Sequence, residues 1–517
     1  MYDTIFQSGP STYIILSVLF ALTGYALFLW LFNKTVKNLP PGPRDWATTW
    51  KMIKATKQQT MHELATEWAR QYGPLTYTTY LGQKMLYLNN ADVTRRLLAS
   101  DDSKFLVADR TIITPAKVAA YGGKDLVFSS YDAIMKKKRR LFHNCLHLYG
   151  DGIQKFEDVV AGEMDRLMDE LEQYENQDVE FWKHIARSLK VIIYILALGE
   201  RPADLSTPDI LEEYDIAFNK IWTPEYDIAL TNLPFLANIP GVFKNAVDRL
   251  KTARTLAEEL IYYAPKRSWI PGQPRGITDL LFDMQGKPGN EWMQKDPQHT
   301  IAFLMSLFWS AHLTSRASLL GIFLCLVNYP AVTKKLQEEI DHVLGDRRPK
   351  LEDRSNMPYM EATIIETLRL ISQVPMCGLR TSTEEFTFEG MTIPKDTRVL
   401  INNWFFHHNE DTFEDPWTFK PERFIDNHGE LLPPDHPLRK NLLPFGVGLR
   451  SCPGEIFARS RVFMFVTMIL QKYDVLPPVN EKLVPADFRV NHEQSRGFIR
   501  QAPPYKCRLQ RRKTAHK

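Results

Sequence analysis

The sequence predicts a mainly α fold with a minor β part, preceded by one membrane-spanning helix, and three observations carry that expectation. Apolar residues recur near the 3.6-residue period over 62–72, 154–174, 182–198, 248–263, 299–327 and 331–344, as they do in helices that bury one face. Strand-like runs are few and short, at 75–80, 85–88 and 505–510. The N-terminus carries no charge from Thr4 to Asn33.

Taken in order, residues 1–12 are predicted to form a short lumenal segment, 13–32 a transmembrane anchor, 33–60 a basic, proline-rich hinge and linker, and 61–517 one large body. Tyr13 to Phe32 is an almost wholly apolar run of 20 residues. At about 1.5 Å per residue it spans roughly 30 Å, the thickness of a hydrocarbon core. A cleaved signal peptide is the alternative, but the run is longer than the usual apolar core of a signal, has no basic residues before it and no small-x-small site before Asn33. Lys34, Lys37, Arg44, Lys51, Lys54 and Lys57 follow it and only Asp3 precedes it, so the positive-inside rule places the body in the cytosol. In Leu39-Pro40-Pro41-Gly42-Pro43-Arg44 three prolines fix φ and remove donors. A stiff connector that orients the body on the bilayer is expected there. The apolar run 233–243 is either a buried connection or a second, shallow membrane contact.

Hydrophobic residues make up 44% and charged residues 24% of the 517-residue chain, and its 33 Pro and 25 Gly are scattered without repeats. That composition is globular and excludes disordered, collagenous and multi-span classes. Sixty-four basic against 61 acidic side chains leave a net charge of +3, too little for a nucleic-acid footprint. The five cysteines, Cys145, Cys325, Cys377, Cys452 and Cys507, are odd in number and never spaced C-x-x-C. They suit neither a disulfide framework nor a zinc site and imply a reducing compartment.

One cysteine stands apart. In Phe445-Gly446-Val447-Gly448-Leu449-Arg450-Ser451-Cys452-Pro453-Gly454, glycines permit a tight turn around the sulfur, Arg450 places a cation two residues away, and an apolar helix starts just beyond. The helix N-terminus and local N–H groups are expected to lower the thiol pKa and prepare the sulfur for iron. The alternative is an ordinary buried cysteine in a glycine-rich loop. The segment matches F-x-x-G-x-R-x-C-x-G at Phe445, Gly448, Arg450, Cys452 and Gly454, a pattern that chance would produce about twice in ten thousand chains of this length. It resembles the haem-binding signature of the cytochrome P-450 family. The resemblance implies the cytochrome P-450 fold behind one N-terminal transmembrane helix, with 61–517 as the haem-thiolate catalytic domain. It also implies haem b, with Cys452 as thiolate ligand of the iron, Arg450 on a haem propionate and Phe445 near the sulfur.

Three further elements follow the family's order. Glu366 and Arg369 form its E-x-x-R, with i and i+3 on one helix face. Phe419-Lys420-Pro421-Glu422-Arg423-Phe424 resembles its P-E-R-F element, so a structural Glu366–Arg369–Arg423 network is implied. Residues 131–140 resemble the helix carrying W-x-x-x-R, with Arg139 as a propionate partner, but Met135 stands at the Trp position. Arg380 is a further propionate candidate. The basic run Lys136, Lys137 and Lys138 is either a solvated face or a docking surface for an acidic electron donor. The helix expected over the haem reads Ser310-Ala311-His312-Leu313-Thr314-Ser315. There the family pattern gives Thr314 the proton-delivery role, while Leu313 replaces the usual acid. A threonine bonding its own helix backbone is the alternative, and His312 is left without a role.

The expected activity is that of a haem-thiolate monooxygenase that oxidises a lipophilic small molecule with dioxygen and electrons from an NADPH-dependent reductase. Likeness of style to fungal enzymes of secondary metabolism points to a secondary-metabolite intermediate as substrate. The location implied is the endoplasmic reticulum membrane, single-pass, with the catalytic domain cytosolic. Oxidative phenol coupling, a reductase-independent haem-thiolate isomerase or dehydratase, and a ligand-sensing haem protein are the competing possibilities. The pocket is expected to be lined by 105–128, the helix over the haem, 374–379 and the stretch near Gly497-Phe498.

Overall fold

The computed structural model describes residues 36–110, 114–148, 153–202, 210–490, 493–495 and 499–513. The expected anchor at 13–32 and Gly497-Phe498 lie outside them. The six periodic segments form the helices Met61–Tyr72, Ile153–Glu172, Phe181–Leu198, Val242–Glu258, Gln298–Asn328 and Pro330–Leu344. The segment expected at 248–263 begins earlier and ends in a π turn, Glu259–Tyr263. Four helices build the site: α1 (Ala133–Leu148), α2 (Gln298–Asn328), α3 (Pro358–Ile371) and α4 (Glu455–Lys472). Helix α2 is apolar nearly all round, and a helix of that kind is buried. Long and apolar enough to cross a membrane, it instead runs through the core and packs on both α3 and α4.

The β part holds one five-stranded sheet of β1 (Leu75–Tyr80), β2 (Gln83–Leu88), β3 (Asp109–Arg110), β4 (Cys377–Thr381) and β5 (Arg398–Ile401), in spatial order β1-β2-β5-β4-β3. Strands β1 and β2 form a hairpin, and β2 pairs in parallel with β5 through Leu86 and Val399. Strand β3 lies antiparallel to β4 with Arg110 opposite Arg380. The expected strand at 505–510 is Cys507–Arg511, paired with Tyr473–Leu476 and Asp178–Val179.

The proline segment is docked on this sheet. Tyr77 N–H donates to Pro41 O at 2.9 Å and Thr78 Oγ1 to Pro43 O at 2.6 Å. Gly42 sits at φ +154°, where a Cβ would come within 2.0 Å of Tyr77 O, so only glycine permits the approach. Within the segment assigned to the linker, Trp46–Gln58 is a helix whose Met52 and Ala55 are buried against Leu64, Trp68 and Tyr80. The folded body therefore starts before residue 61. Only two of its apolar side chains turn inward, while Trp46 and Trp50 are 72% and 69% exposed, and so weak an inward stripe is hard to read from sequence. The run 233–243 is not a buried connection, because Leu233, Phe235, Ile239 and Val242 are all exposed.

Candidate active site

Leu443 to Gly454 wraps tightly around Cys452. Gly446 N–H donates to Leu443 O, Ser451 N–H to Gly448 O and Cys452 N–H to Phe445 O, at 2.9, 3.0 and 2.8 Å. Gly448 has φ +73°, and a Cβ there would meet Leu98 O at 2.0 Å, so glycine lets the loop lie on the helix Ala91–Ala99. Helix α4 leaves directly from Gly454. The sulfur opens into a cavity with an empty volume of about 1400 Å³, part of it open to solvent. Burial pushes the Cys452 thiol up to about 11, opposite to the expected lowering. The Gly454 N–H does favour the thiolate, but loss of solvent outweighs it and the Glu455 carboxylate adds to the rise.

Four guanidinium groups line the same cavity: Arg139 from α1, Arg450 from the loop, Arg380 from β4 and Arg110 from β3. Arg139 Nη2 donates to Ser451 O at 3.0 Å, Arg380 Nη2 to Val447 O at 2.9 Å, and Arg450 Nε to Ala108 O at 2.8 Å. Arg450 Nη2 also donates to Ser129 O. Arg110 Nε, Arg380 Nη1 and Arg450 Nη1 are buried with no acceptor. Among the described residues no carboxylate makes an ion pair with any of the four. Burial and mutual repulsion lower their pKa values, that of Arg450 to about 10. Arg110 was not anticipated. No motif surrounds it, and the β3–β4 register that sets it beside Arg380 joins residues far apart in sequence. At the position of the missing indole, Met135 is buried and its Sδ accepts from Ser129 Oγ at 3.1 Å; it offers no donor to the cavity.

Helix α2 forms another wall. Thr314 lines the cavity, and its hydroxyl donates to Ser310 O at 2.8 Å. The backbone bond and the exposure to the cavity thus coexist: the hydrogen is occupied and the Oγ1 lone pairs remain available. Leu313 turns away and packs with Ala317 and Ile499. His312 also faces away, toward Asp215 Oδ2 at 3.7 Å and Ala186 O at 3.3 Å. Of the other expected lining, Leu126, Val127, Val374 and Cys377 reach the cavity, whereas Phe105 is on the surface.

Glu366, Arg369 and Arg423 come together behind the loop. Arg369 Nε and Nη2 donate to the Glu366 carboxylate at 2.7 and 2.8 Å, and Arg423 Nε at 3.2 Å. Arg369 Nη1 caps His407 O and Pro416 O, and Lys420 N–H donates to Glu366 Oε1 at 3.0 Å. Every charge is met, so the network holds α3 to the loop over 414–424 and is remote from chemistry.

Lys136 and Lys137 are exposed on α1, but Lys138 is only 1% exposed and is no part of a docking surface. Helical spacing puts it on the inward face with Met135 and Phe142. There it donates to Lys124 O and shares a 2.9 Å contact with His299 Nδ1.

A cysteine sulfur and four anion-seeking cations facing one large cavity, on a helical body with a small sheet, define a protein built around a bulky acidic cofactor. The cytochrome P450 profile matches residues 40–508, and the chain belongs to that family. It is 27% identical to a steroid 17-alpha-hydroxylase/17,20 lyase of Gallus gallus over 422 residues, covering 80% of this chain and 81% of that one. It is also 27% identical to cytochrome P450 2J3 of Rattus norvegicus, covering 90% and 91%. A solved zebra fish cytochrome P450 with progesterone superposes with a TM-score of 0.72 at 25% identity, covering 87% of this chain and 99% of that one. The fold is that of the family, and the protein is a monooxygenase-type oxidoreductase. The family carries haem iron on a cysteine thiolate, and the unmet guanidinium nitrogens fit the two propionates of such a group.

Proposed function

We propose that Cys452 is the iron ligand and that the chain oxidises a lipophilic small molecule with dioxygen, using electrons from an NADPH-dependent flavoprotein reductase. The observation that carries this is the convergence of the Cys452 sulfur and the unpaired nitrogens of Arg110, Arg380 and Arg450 on one cavity. Haem bound there would supply dioxygen activation and transfer of one oxygen atom to the substrate, the other leaving as water. Arg110, Arg139, Arg380 and Arg450 would hold the propionates, with charge-assisted bonds replacing unmet donors. Phe445 shields the loop side of the sulfur. Thr314, with Oγ1 free to accept, would hold a water at the cavity wall and orient its proton inward.

The substrate side is apolar, with Leu126, Val127, Leu307 and Val374 in the wall, which favours a lipophilic ligand. A secondary-metabolite intermediate is the substrate suggested by the style of the sequence, although the relatives named above include a steroid hydroxylase. Lys136 and Lys137 would meet an acidic reductase. The anchor at 13–32 places the catalytic domain, 61–517 with the helix Trp46–Gln58, on the cytosolic face of the endoplasmic reticulum. The exposed Phe235 and Ile239 then dip into the same bilayer. The test joins two measurements on detergent-solubilised full chain: the ferrous–CO spectrum, and NADPH oxidation with a reductase and a panel of lipophilic compounds. A red-shifted CO band with product formation supports the proposal, and a band at the position of nitrogen ligation would overturn it.

A further inference from the structure

Helix α4 turns one charge into the core. Arg461 is 1% exposed, among Phe457, Val462 and Phe463, and its Cζ lies 4.1 Å from the Phe457 ring centre. The side chain crosses to α2, where Nη2 donates to Ala311 O at 2.9 Å and Ser315 Oγ at 2.7 Å. Its Nε and Nη1 find no acceptor, yet the residue lines the cavity. Among the described residues no carboxylate pairs with it. Burial alone acts on its pKa, drawing it down to about 9, so it is also remote from the four-arginine cluster. Donors buried without acceptors are costly, and a site so polar and open to the cavity is one that water fills.

Position gives that water a use. Ala311 and Ser315 bracket Thr314 on α2, and Ser315 and Thr314 both line the cavity. Leu313 is spent on Ile499, so α2 itself brings no acid to this wall. We propose that Arg461 is a positioning residue for proton delivery, holding ordered water on Nε and Nη1 beside Ser315 and Thr314 where the helix lacks a carboxyl group. A neighbouring cation makes water a better proton donor. The water gives one proton toward Thr314 Oγ1 and regains one from solvent, while Arg461 stays charged throughout. This inference rests on the monooxygenase reading.

Two measurements test it on the haem-loaded full chain. A crystal structure of the parent should show water within hydrogen-bond distance of Nε or Nη1, and Arg461→Gln should lose it. With reductase, NADPH and oxygen but no organic substrate, Arg461→Gln should release about threefold more hydrogen peroxide per NADPH than the parent, with the excess growing as pH rises. Arg461→Lys should return most of the coupling, and Ser315→Ala, which keeps the charge and removes its acceptor, should fall between. Dry nitrogens in the crystal, or an unchanged peroxide ratio and pH profile in all three variants, would overturn the role. If the parent lacks the thiolate CO band or oxidises no NADPH, the monooxygenase reading fails first, and the crystallographic water then judges Arg461 alone.

Discussion

A guanidinium without an anion destabilises the chain that buries it and strengthens the ligand that relieves it, so the arginines of the cavity should show opposite effects in the two states. Arg110→Met should leave the cofactor-free chain as stable as the parent or slightly more so. It should weaken haem retention by roughly 10- to 100-fold, the worth of one charge-assisted bond, measured by haem transfer to an apo-globin acceptor. Cys452→Ala should abolish the red-shifted ferrous–CO absorption, and an unchanged band would assign the iron to another ligand. Lys138 gives a pH signature. Burial lowers its pKa from the ordinary 10.5 to about 8, so between these values the unfolded chain holds a proton that the folded chain has released. Stability should therefore rise with pH across that window, by about 3 kcal/mol at most. Lys138→Met should flatten the rise in thermal unfolding, whereas Lys136→Gln with Lys137→Gln should leave it and slow reduction by the reductase instead.

Helix α2 separates what an element does from what one of its positions does. Leu313→Asp would put a carboxylate against Ala317 and Ile499, outside the cavity, at a cost of about 2–4 kcal/mol. Lowered Tm without improved product per NADPH is the expected result, and better coupling would show that position 313 does reach the proton path. Thr314→Ala should raise peroxide release while leaving Tm within a degree or two. The helices were legible because each carries an apolar stripe at 3.6-residue spacing, and the cysteine loop was legible because its chemistry needs fixed residue types at short range. What escaped was set by distance or by a single turn of helix. Arg110 acquires meaning only through its pairing with β4, Lys138 differs from Lys137 only by the face it occupies, and Arg461 is one charge in an apolar run whose burial alone marks it.

At the scale of the whole molecule, the exposed apolar side chains at 233–243, with Trp46 and Trp50, form surface that water alone does not favour. Deleting residues 1–32 should leave a haem-binding protein that still associates weakly with lipid vesicles. Adding Phe235→Asp with Ile239→Asp should release it in a flotation assay, and full release by truncation alone would argue against the second contact. The sheet that seats the proline segment carries another implication, for synthesis. Asn89, beside β2, bonds Asn402, beside β5, at 3.0 Å across 313 residues of sequence. At about 5–20 residues per second a ribosome needs on the order of 15–60 s to cover that interval. For that time the first hairpin waits beside its tether with an open edge. Cys452 emerges later still, so the cavity is completed only as translation ends, and cofactor capture is a nearly post-translational event.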